Sequence, residues 1–107
     1  MSQLKEDLLA VAALLEGPGA WCQGELARDR AGVEVYPHDP RAWSWCLEGG
    51  ILVVLPPQTM RNRGRYWAVI EAVDAALPGT PIDWNDAPER TQGEVVGLLR
   101  AVAEGVE

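Results

Sequence analysis

The sequence predicts a mainly α-helical domain of about four helices with a short β-hairpin near residues 25–36. Three observations support this fold class. Apolar residues recur at intervals of three and four in segments near both ends of the chain, and an alternating segment surrounds a turn that starts at Asp29 and ends at Gly32. The 107 residues, 48% of them hydrophobic and 23% charged, provide one core of ordinary size. We therefore expect a single globular domain over residues 1–107.

The first helix is predicted from about Gln3 to Glu16. Ser2 precedes it as a candidate N-cap, and the glycine- and proline-rich segment 17–19 ends it. Its predicted buried stripe consists of residues three or four positions apart, namely Leu4, Leu8, Val11, Ala12 and Leu15. The alternating segment Glu25–Tyr36 follows and predicts the hairpin.

A second helix is predicted to begin at Asp39-Pro40, because aspartate accepts hydrogen bonds from the free amides of a first turn and proline there gives up no donor. Its buried stripe would comprise Trp43, Leu47, Gly50, Ile51 and Val54. The continuous apolar run Ile51–Leu55 is equally compatible with a buried strand, and the fold class would then be α+β. Gly49 and Gly50 each cost about 1 kcal/mol in a helix interior, which indicates a helix break or the close approach of another element.

Two further helices are predicted in the second half of the chain. The third has the apolar stripe Tyr66, Val69, Ile70, Val73, Ala76 and Leu77. We expect the arginine cluster of residues 61–65 in the loop before it, because positive charge is unfavourable at a helix N-terminus. The fourth helix is predicted to start near Thr91, which has the spacing of a capping box with Glu94.

Charge and composition restrict the partners and the compartment. The formal net charge of -7 argues against direct nucleic-acid binding and against an anionic membrane surface, and it favours a basic partner. The N-terminus has no secretory signal, and no apolar stretch approaches the roughly 20 residues of a membrane span, so we expect a cytoplasmic protein. In that reducing compartment, Cys22 and Cys46 are expected to be reduced and buried rather than joined as a disulfide.

Three stretches of sequence carry a family signature. They are Trp21-Cys22-Gln23-Gly24 with Ala27-Arg28-Asp29, then Trp45-Cys46-Leu47-Glu48-Gly49, and then Trp84-Asn85-Asp86 with Arg90-Thr91 and Glu94-Val95. Over nearly its whole length the chain resembles a small uncharacterised domain family that is common in actinobacterial and some phage genomes. That family has no assigned activity, so the resemblance implies a relative and not a reaction. Cys22 stands where the family pattern has threonine, which argues against a role for its thiol as ligand or nucleophile.

Catalytic and metal chemistry find little support in the sequence. Cys22, His38 and Cys46 lack the local spacing of metal ligands, and we expect no metal and no cofactor. A Cys46 nucleophile with His38 as its base is the one thiol–imidazole pairing available, but a buried thiol beside Trp45 packs like a small apolar residue. Phosphate-binding, hydrolase and metalloprotease motifs are absent from the sequence, and their absence lowers the expectation of an enzyme without deciding the question.

The strongest candidate for a binding site is the Trp84-Asn85-Asp86 loop. It offers hydrogen-bond donors and acceptors beside an aromatic wall, with Arg90 placed to hold Asp86 or an anion. The alternative, which we favour, is an Asx-type turn whose tryptophan covers the core. Pairing within the hairpin turn, or between it and this loop, would create a polar cluster. The candidate binding residues are Trp21, Gln23, Arg28, Asp29, Trp45, Cys46, Trp84, Asn85, Asp86, Arg90 and Thr91.

These observations favour a small accessory or regulatory domain that binds another protein, with self-association as a homodimer left open. One alternative is a phage-type inhibitor whose acidic surface occupies a basic groove of a host complex, and strong weakening of binding by salt would indicate it. The other is a small-molecule-binding protein or enzyme centred on the Trp84-Asn85-Asp86 loop. A deep polar pocket there would favour it, and side chains fully used in turns and caps would argue against it.

Overall fold

The computed structural model describes residues 2–106 and has five α-helices and one two-stranded antiparallel sheet in that part of the chain. In chain order the elements are α1 (Gln3–Glu16), β1 (Ala27–Arg28), β2 (Ser44–Trp45), α2 (Leu47–Val54), α3 (Met60–Ala75), α4 (Pro81–Asn85) and α5 (Gln92–Glu104). The fold is therefore mainly α with a short antiparallel strand pair, as the sequence predicts. The sequence predicts four helices, and the additional one in the structure is α4, which is too short for its apolar periodicity to reveal it.

Helices α1 and α5 have the N-termini that their capping signals predict. The Ser2 hydroxyl accepts a hydrogen bond from the Lys5 amide at 3.2 Å. At α5, Thr91 Oγ1 accepts from the Glu94 amide at 3.2 Å, while the Glu94 carboxylate accepts from the Thr91 amide at 2.9 Å, which completes the capping box. Both signals lie within three residues of the helix that they start, so distant contacts do not override them.

Helix α2 begins seven residues later than predicted, with Leu47 and not Pro40 as its first residue. Asp39 caps no helix, because its carboxylate accepts from the backbone amide of Arg41 at 2.8 Å and closes a turn instead. The chain then remains extended through β2, and the cap of α2 is Cys46. Residues 51–54 are helical, which excludes the alternative of a buried strand there.

Helix α3 begins before the arginine cluster and not after it, so the prediction that residues 61–65 lie in the loop before the helix is wrong. The missed signal is Thr59, whose hydroxyl accepts from the Asn62 amide at 3.2 Å and caps the helix. Of the three arginines, Arg65 lies in the second turn of α3 and pairs with Asp7 of α1. The Arg65 guanidinium binds that buried carboxylate through Nε at 3.0 Å and Nη2 at 2.7 Å.

The strand β2 lies between two other segments. On one side it pairs with β1 in antiparallel register, Ala27 opposite Trp45 and Arg28 opposite Ser44. On the other side Trp21 forms a parallel bridge with Trp45. The predicted turn from residue 29 to residue 32 exists, but it contributes one antiparallel bridge, Arg28 with Glu34, and the ladder partner of β1 is the more distant β2.

The hydrophobic core lies among the helices, with α1 and α5 as its most extensively packed pair. Its fully buried large side chains include Leu8, Leu15, Leu47, Ile51, Leu55 and Leu99. The Gln92 amide, at the start of α5, donates to the carbonyls of Leu15 and Gly17 at 2.7 and 2.8 Å and so satisfies the end of α1. Within residues 2–106, none of the helices combines the length and the apolar character of a membrane span.

Candidate functional site

The three signature stretches meet at Asn85, the last residue of α4. Thr80 caps this short helix by accepting from the Asp83 amide at 3.1 Å, and Pro81 occupies its first position. The helix carries Asn85 into the junction between α2 and the segment around Trp21, where its side chain has no exposed surface. A buried amide must satisfy two donors and an acceptor inside the protein.

The Asn85 side chain uses all of its hydrogen-bonding capacity within the protein. Its Oδ1 accepts from the indole Nε1 of Trp21 at 2.7 Å and from the amide of Leu47 at 3.0 Å. Its Nδ2 donates to the carbonyl of Cys22 at 3.1 Å and to the carboxylate of Asp86 at 3.0 Å. The bond to Leu47 satisfies one of the free amides at the start of α2. Asn85 therefore joins three segments that are distant in sequence.

Gln23 and Arg28 extend these contacts along the backbone. Gln23 Nε2 donates to the carbonyls of Asn85 and Ala87 at 2.9 and 2.8 Å. Arg28 Nη2 donates to the Gln23 carbonyl at 3.0 Å, and its Nη1 donates to the Gly32 carbonyl at 2.9 Å. Both side chains therefore bind backbone carbonyls and fix the course of the chain around Asn85.

Asp86 completes the cluster. Its Oδ1 accepts from the amide of Gly24 at 3.0 Å as well as from Asn85. Gly24 adopts a φ of 85°, a left-handed conformation that favours glycine. We call this cluster the signature network, and its side chains are Trp21, Gln23, Arg28, Asn85 and Asp86. Among residues 2–106, every buried side-chain nitrogen and oxygen atom has a hydrogen-bond partner, so the network offers no buried polar group to a ligand.

Arg90 stacks on Trp84 and does not contact Asp86. Its guanidinium carbon lies 3.9 Å from the centroid of the indole ring, and its Nε donates to the Trp84 carbonyl at 2.9 Å. Its ion pair, at 3.5 Å, is with Glu94. Arg90 thus fastens the end of α4 to the start of α5.

The remaining candidate residues lie at the edges of the signature network. The indole of Trp45 donates to the Pro37 carbonyl at 2.7 Å. Cys46 caps α2, because its sulfur accepts from the Gly49 amide at 3.3 Å. Thr91 belongs to the capping box of α5. The Asp29 carboxylate accepts from the amides of Ala31 and Val33 and so closes its own turn.

The two thiols bond to backbone groups, and the single histidine stacks on a tyrosine. Burial raises the pKa of Cys46 to about 11 and also raises the pKa of Cys22, so both thiols are protonated at neutral pH. The His38 ring stacks on Tyr36, with 6.3 Å between the ring centroids. Within residues 2–106, His, Cys, Asp and Glu side chains form no cluster of three that could hold a metal ion.

Two grooves of the surface lie beside the segment 29–43 and away from the signature network. One groove, of about 340 Å³, runs past Val35, Tyr36 and Asp39. The other, of about 430 Å³, runs past Arg30 and Trp43. Both are open, and Arg41 borders both of them. The groove that reaches Asp86 is smaller, at about 150 Å³.

Sequence reasoning missed the exposed aromatic surface on this segment. Val33, Tyr36 and Trp43 are 60%, 76% and 46% exposed, and we call these three side chains the loop face. The guanidinium of Arg30 lies 4.4 Å from the centre of the Trp43 ring. The available signal was the pair of prolines in Tyr36-Pro37-His38-Asp39-Pro40, which is more typical of a loop that displays its side chains than of a helix start.

The loop face stands on a well-defined backbone, although the segment contains no helix or strand. The Asp29 carboxylate accepts from the amides of Ala31 and Val33, both at 2.9 Å. The Asp39 carboxylate accepts from the Arg41 amide and also binds the Arg41 guanidinium through Nε at 3.0 Å and Nη2 at 2.9 Å. These contacts hold the pKa of Asp39 down at about 2, chiefly through the Arg41 side chain. Two aspartates therefore order the loop.

Comparison with known proteins identifies one family. The model of a family described as "Family of unknown function (DUF6197)" matches residues 1–105 of the chain. The resemblance to an uncharacterised domain family is thereby confirmed. No curated protein and no solved structure matches the chain.

Proposed function

The chain belongs to DUF6197, a family of unknown function, and from this premise we propose that it is a small accessory domain that binds another protein through the loop face. The observation that carries the proposal is the exposure of Tyr36 and Trp43, at 76% and 46%, on a backbone ordered by its own side chains. Aromatic side chains on an ordered backbone lose little conformational freedom on binding and commonly supply most of the energy of an interface.

The signature network suits the role of a scaffold for this surface. Each hydrogen-bonding group of Asn85 is used internally, and the two donors of the Gln23 amide bind backbone carbonyls. A ligand at this position would have to displace those bonds without gaining a free donor or acceptor. This argues against a small-molecule site at Trp84-Asn85-Asp86, the end of α4, and supports a binding surface elsewhere.

A second candidate function follows from the net charge of -7. An acidic protein can act as an inhibitor of phage type that occupies a basic groove of its target, with long-range attraction as the main contribution. The two candidates predict different contacts. Binding through the loop face depends on two aromatic side chains, whereas binding through acidic charge depends on ionic strength.

We would test the proposal by photo-crosslinking and then by direct binding measurements. A benzophenone amino acid replaces Tyr36 in one protein and Ile82, which is 43% exposed outside the loop face, in the control. Adducts formed in native lysate are identified by mass spectrometry. The captured protein is then purified and titrated with the unmodified chain, so that an affinity is measured and not only a capture.

The decisive comparison uses two double variants with similar loss of exposed apolar surface. Tyr36→Ser with Trp43→Ser removes two side chains of the loop face, and Met60→Ser with Trp67→Ser removes exposed side chains of α3. We expect the first to weaken binding by at least about tenfold and the second to leave it unchanged. Loss of affinity in the α3 variant alone would overturn the proposal. If both variants bind with the affinity of the parent chain and salt weakens that binding steeply, the result would favour the acidic inhibitor.

A further inference from the structure

Cys22 and Cys46 are neighbours across the parallel bridge that Trp21 makes with Trp45. The Cys22 amide donates to the Trp45 carbonyl at 3.1 Å, and the Trp45 amide donates to the Ala20 carbonyl at 2.8 Å. This pattern sets Trp21 opposite Trp45 and therefore Cys22 beside Cys46, on adjacent segments about 4.8 Å apart. Successive side chains alternate between faces, so the two thiols lie on the same face, opposite to the two indoles.

This placement is compatible with a disulfide, whose Cα atoms are usually about 4.4–6.8 Å apart. The two thiols are not joined to each other. Cys22 Sγ donates to the Glu25 carbonyl at 3.7 Å, and Cys46 Sγ accepts from the Gly49 amide at 3.3 Å. Rotation of the two side chains from these partners toward each other is the movement that a disulfide requires.

We infer that Cys22 and Cys46 form a redox-active pair, which a small-molecule disulfide such as oxidised glutathione converts into an intramolecular disulfide. The partly exposed Cys22 thiolate attacks one sulfur of oxidised glutathione and releases the first glutathione thiolate. The Cys46 thiolate then attacks the Cys22 sulfur of the mixed disulfide and releases the second. The chain loses two electrons and two protons, and one oxidised glutathione becomes two molecules of glutathione.

The rate of the exchange depends on pH. Burial raises the pKa of both thiols, that of Cys46 to about 11, so only a small fraction is thiolate at neutral pH. Oxidation is therefore slow at neutral pH and becomes faster as the pH rises.

Oxidation has a structural consequence for α2. Cys46 Sγ is the acceptor of the Gly49 amide in the first turn of this helix. A disulfide with Cys22 turns that sulfur away, and the Gly49 amide loses its partner. Oxidation of the pair is therefore linked to opening of the N-terminal end of α2. Asn85 binds the same end of the helix by accepting from the Leu47 amide.

The first test treats the intact, folded chain with oxidised glutathione in mildly alkaline buffer. Trypsin cleavage without reductant places Cys22 in peptide 6–28 and Cys46 in peptide 42–61. We expect a cross-linked pair of these peptides, an intact mass lower by two hydrogen atoms, and full reversal by dithiothreitol. The rate of ring closure should not depend on protein concentration. Cys22→Ser and Cys46→Ser, each of which retains a polar atom at the same position, should yield only a glutathione adduct.

The second readout is hydrogen exchange at Gly49, which we expect to become at least about tenfold faster in the oxidised chain while α5 remains protected. A folded chain that gives only the mixed disulfide at Cys22, or that forms the cross-link only in urea, would overturn the inference. A cross-linked chain in which exchange at Gly49 is unchanged would overturn the uncapping of α2.

Discussion

The signature network and the loop face are both built from polar contacts, but they use them in opposite ways. In the network, side chains as different as Trp21, Gln23 and Asn85 point inward and bind one another or the backbone. In the loop face, two aspartates bind the backbone and leave Tyr36 and Trp43 directed outward. The recognisable sequence motifs therefore mark internal contacts, and the exposed side chains of the loop face lie outside them.

The two regions also differ in the distance along the chain that their bonds span. Five bonds of the network join residues 62 to 64 positions apart, such as Trp21 with Asn85, and the bond from the Leu47 amide to Asn85 spans 38. The bonds of Asp29 and Asp39 span two to four positions. Damage to the network should therefore lower the stability of the whole domain, whereas damage to the loop should remain local.

Asn85→Ala should have the largest effect. It leaves the Trp21 indole, the Leu47 amide and the Cys22 carbonyl without their partner in a site that excludes water. We expect a loss of about 3–5 kcal/mol in the free energy of unfolding, measured by urea denaturation. Asn62→Ala, in α3, is the matched control and should cost less than about 0.5 kcal/mol. A similar loss in the two variants would remove the distinction between the regions.

Gly49→Ala should come next. A Cβ atom at this position would lie 1.9 Å from the Leu26 carbonyl oxygen, and backbone cannot move as freely as a side chain. We expect a loss of about 2–3 kcal/mol in thermal or urea unfolding. In Gly64→Ala, in α3, the new Cβ meets no atom within 4 Å, so helix propensity should raise stability by about 0.5–1 kcal/mol. Opposite signs for the same substitution would show that Gly49 serves close packing.

Asp29→Ala tests the loop. Its carboxylate accepts from the amides of Ala31 and Val33, and the turn is exposed. The expected loss is about 1 kcal/mol, because water can replace the lost partner. Hydrogen exchange should become faster at Val33 while the Leu47 amide remains protected. Equal acceleration at both amides would mean that loop and network unfold together.

The smallest effect should come from pH. The pKa of Glu34, beside the loop face, is raised chiefly by a hydrogen bond with Glu25, whose charge also opposes ionisation. A raised acid pKa contributes stability below its ordinary value, and this stability is lost as the pH rises through the raised value. The melting temperature should therefore fall slightly with pH in the mildly acidic range, and Glu34→Gln should lack this component. Parallel pH profiles for parent and variant would contradict the assignment.

The sequence predicts best the elements whose signals are local. The caps at Ser2 and Thr91 lie within three residues of the amides that they bind, and both helix starts agree with the structure. The aspartate and proline at positions 39 and 40 satisfy the same local rule, yet Asp39 closes a turn. The reason is a distant contact, since the following residues pair with β1 before α2 can begin.

The candidate site was predictable in its members but not in its connections. Trp21, Gln23, Arg28, Asn85 and Asp86 stand out in the sequence, and the structure brings them together. Their partners are mostly backbone groups, which carry no residue-specific signal. Arg90 is an example. The sequence suggested Asp86 or an anion as its partner, whereas its Nε donates to the Trp84 carbonyl and its guanidinium covers the Trp84 ring. The loop face escaped notice because exposure depends on the whole fold.

The bond between Asn85 and the Leu47 amide has a consequence for the order of folding. Closing a connection of 38 residues costs chain entropy before the contact is formed, so we expect this bond to form late in folding. During synthesis, the Leu47 amide at the start of α2 gains this partner only after residue 85 has left the ribosome. A chain interrupted before that point would leave the Trp21 indole and the start of α2 unpaired, as a target for chaperones or proteases.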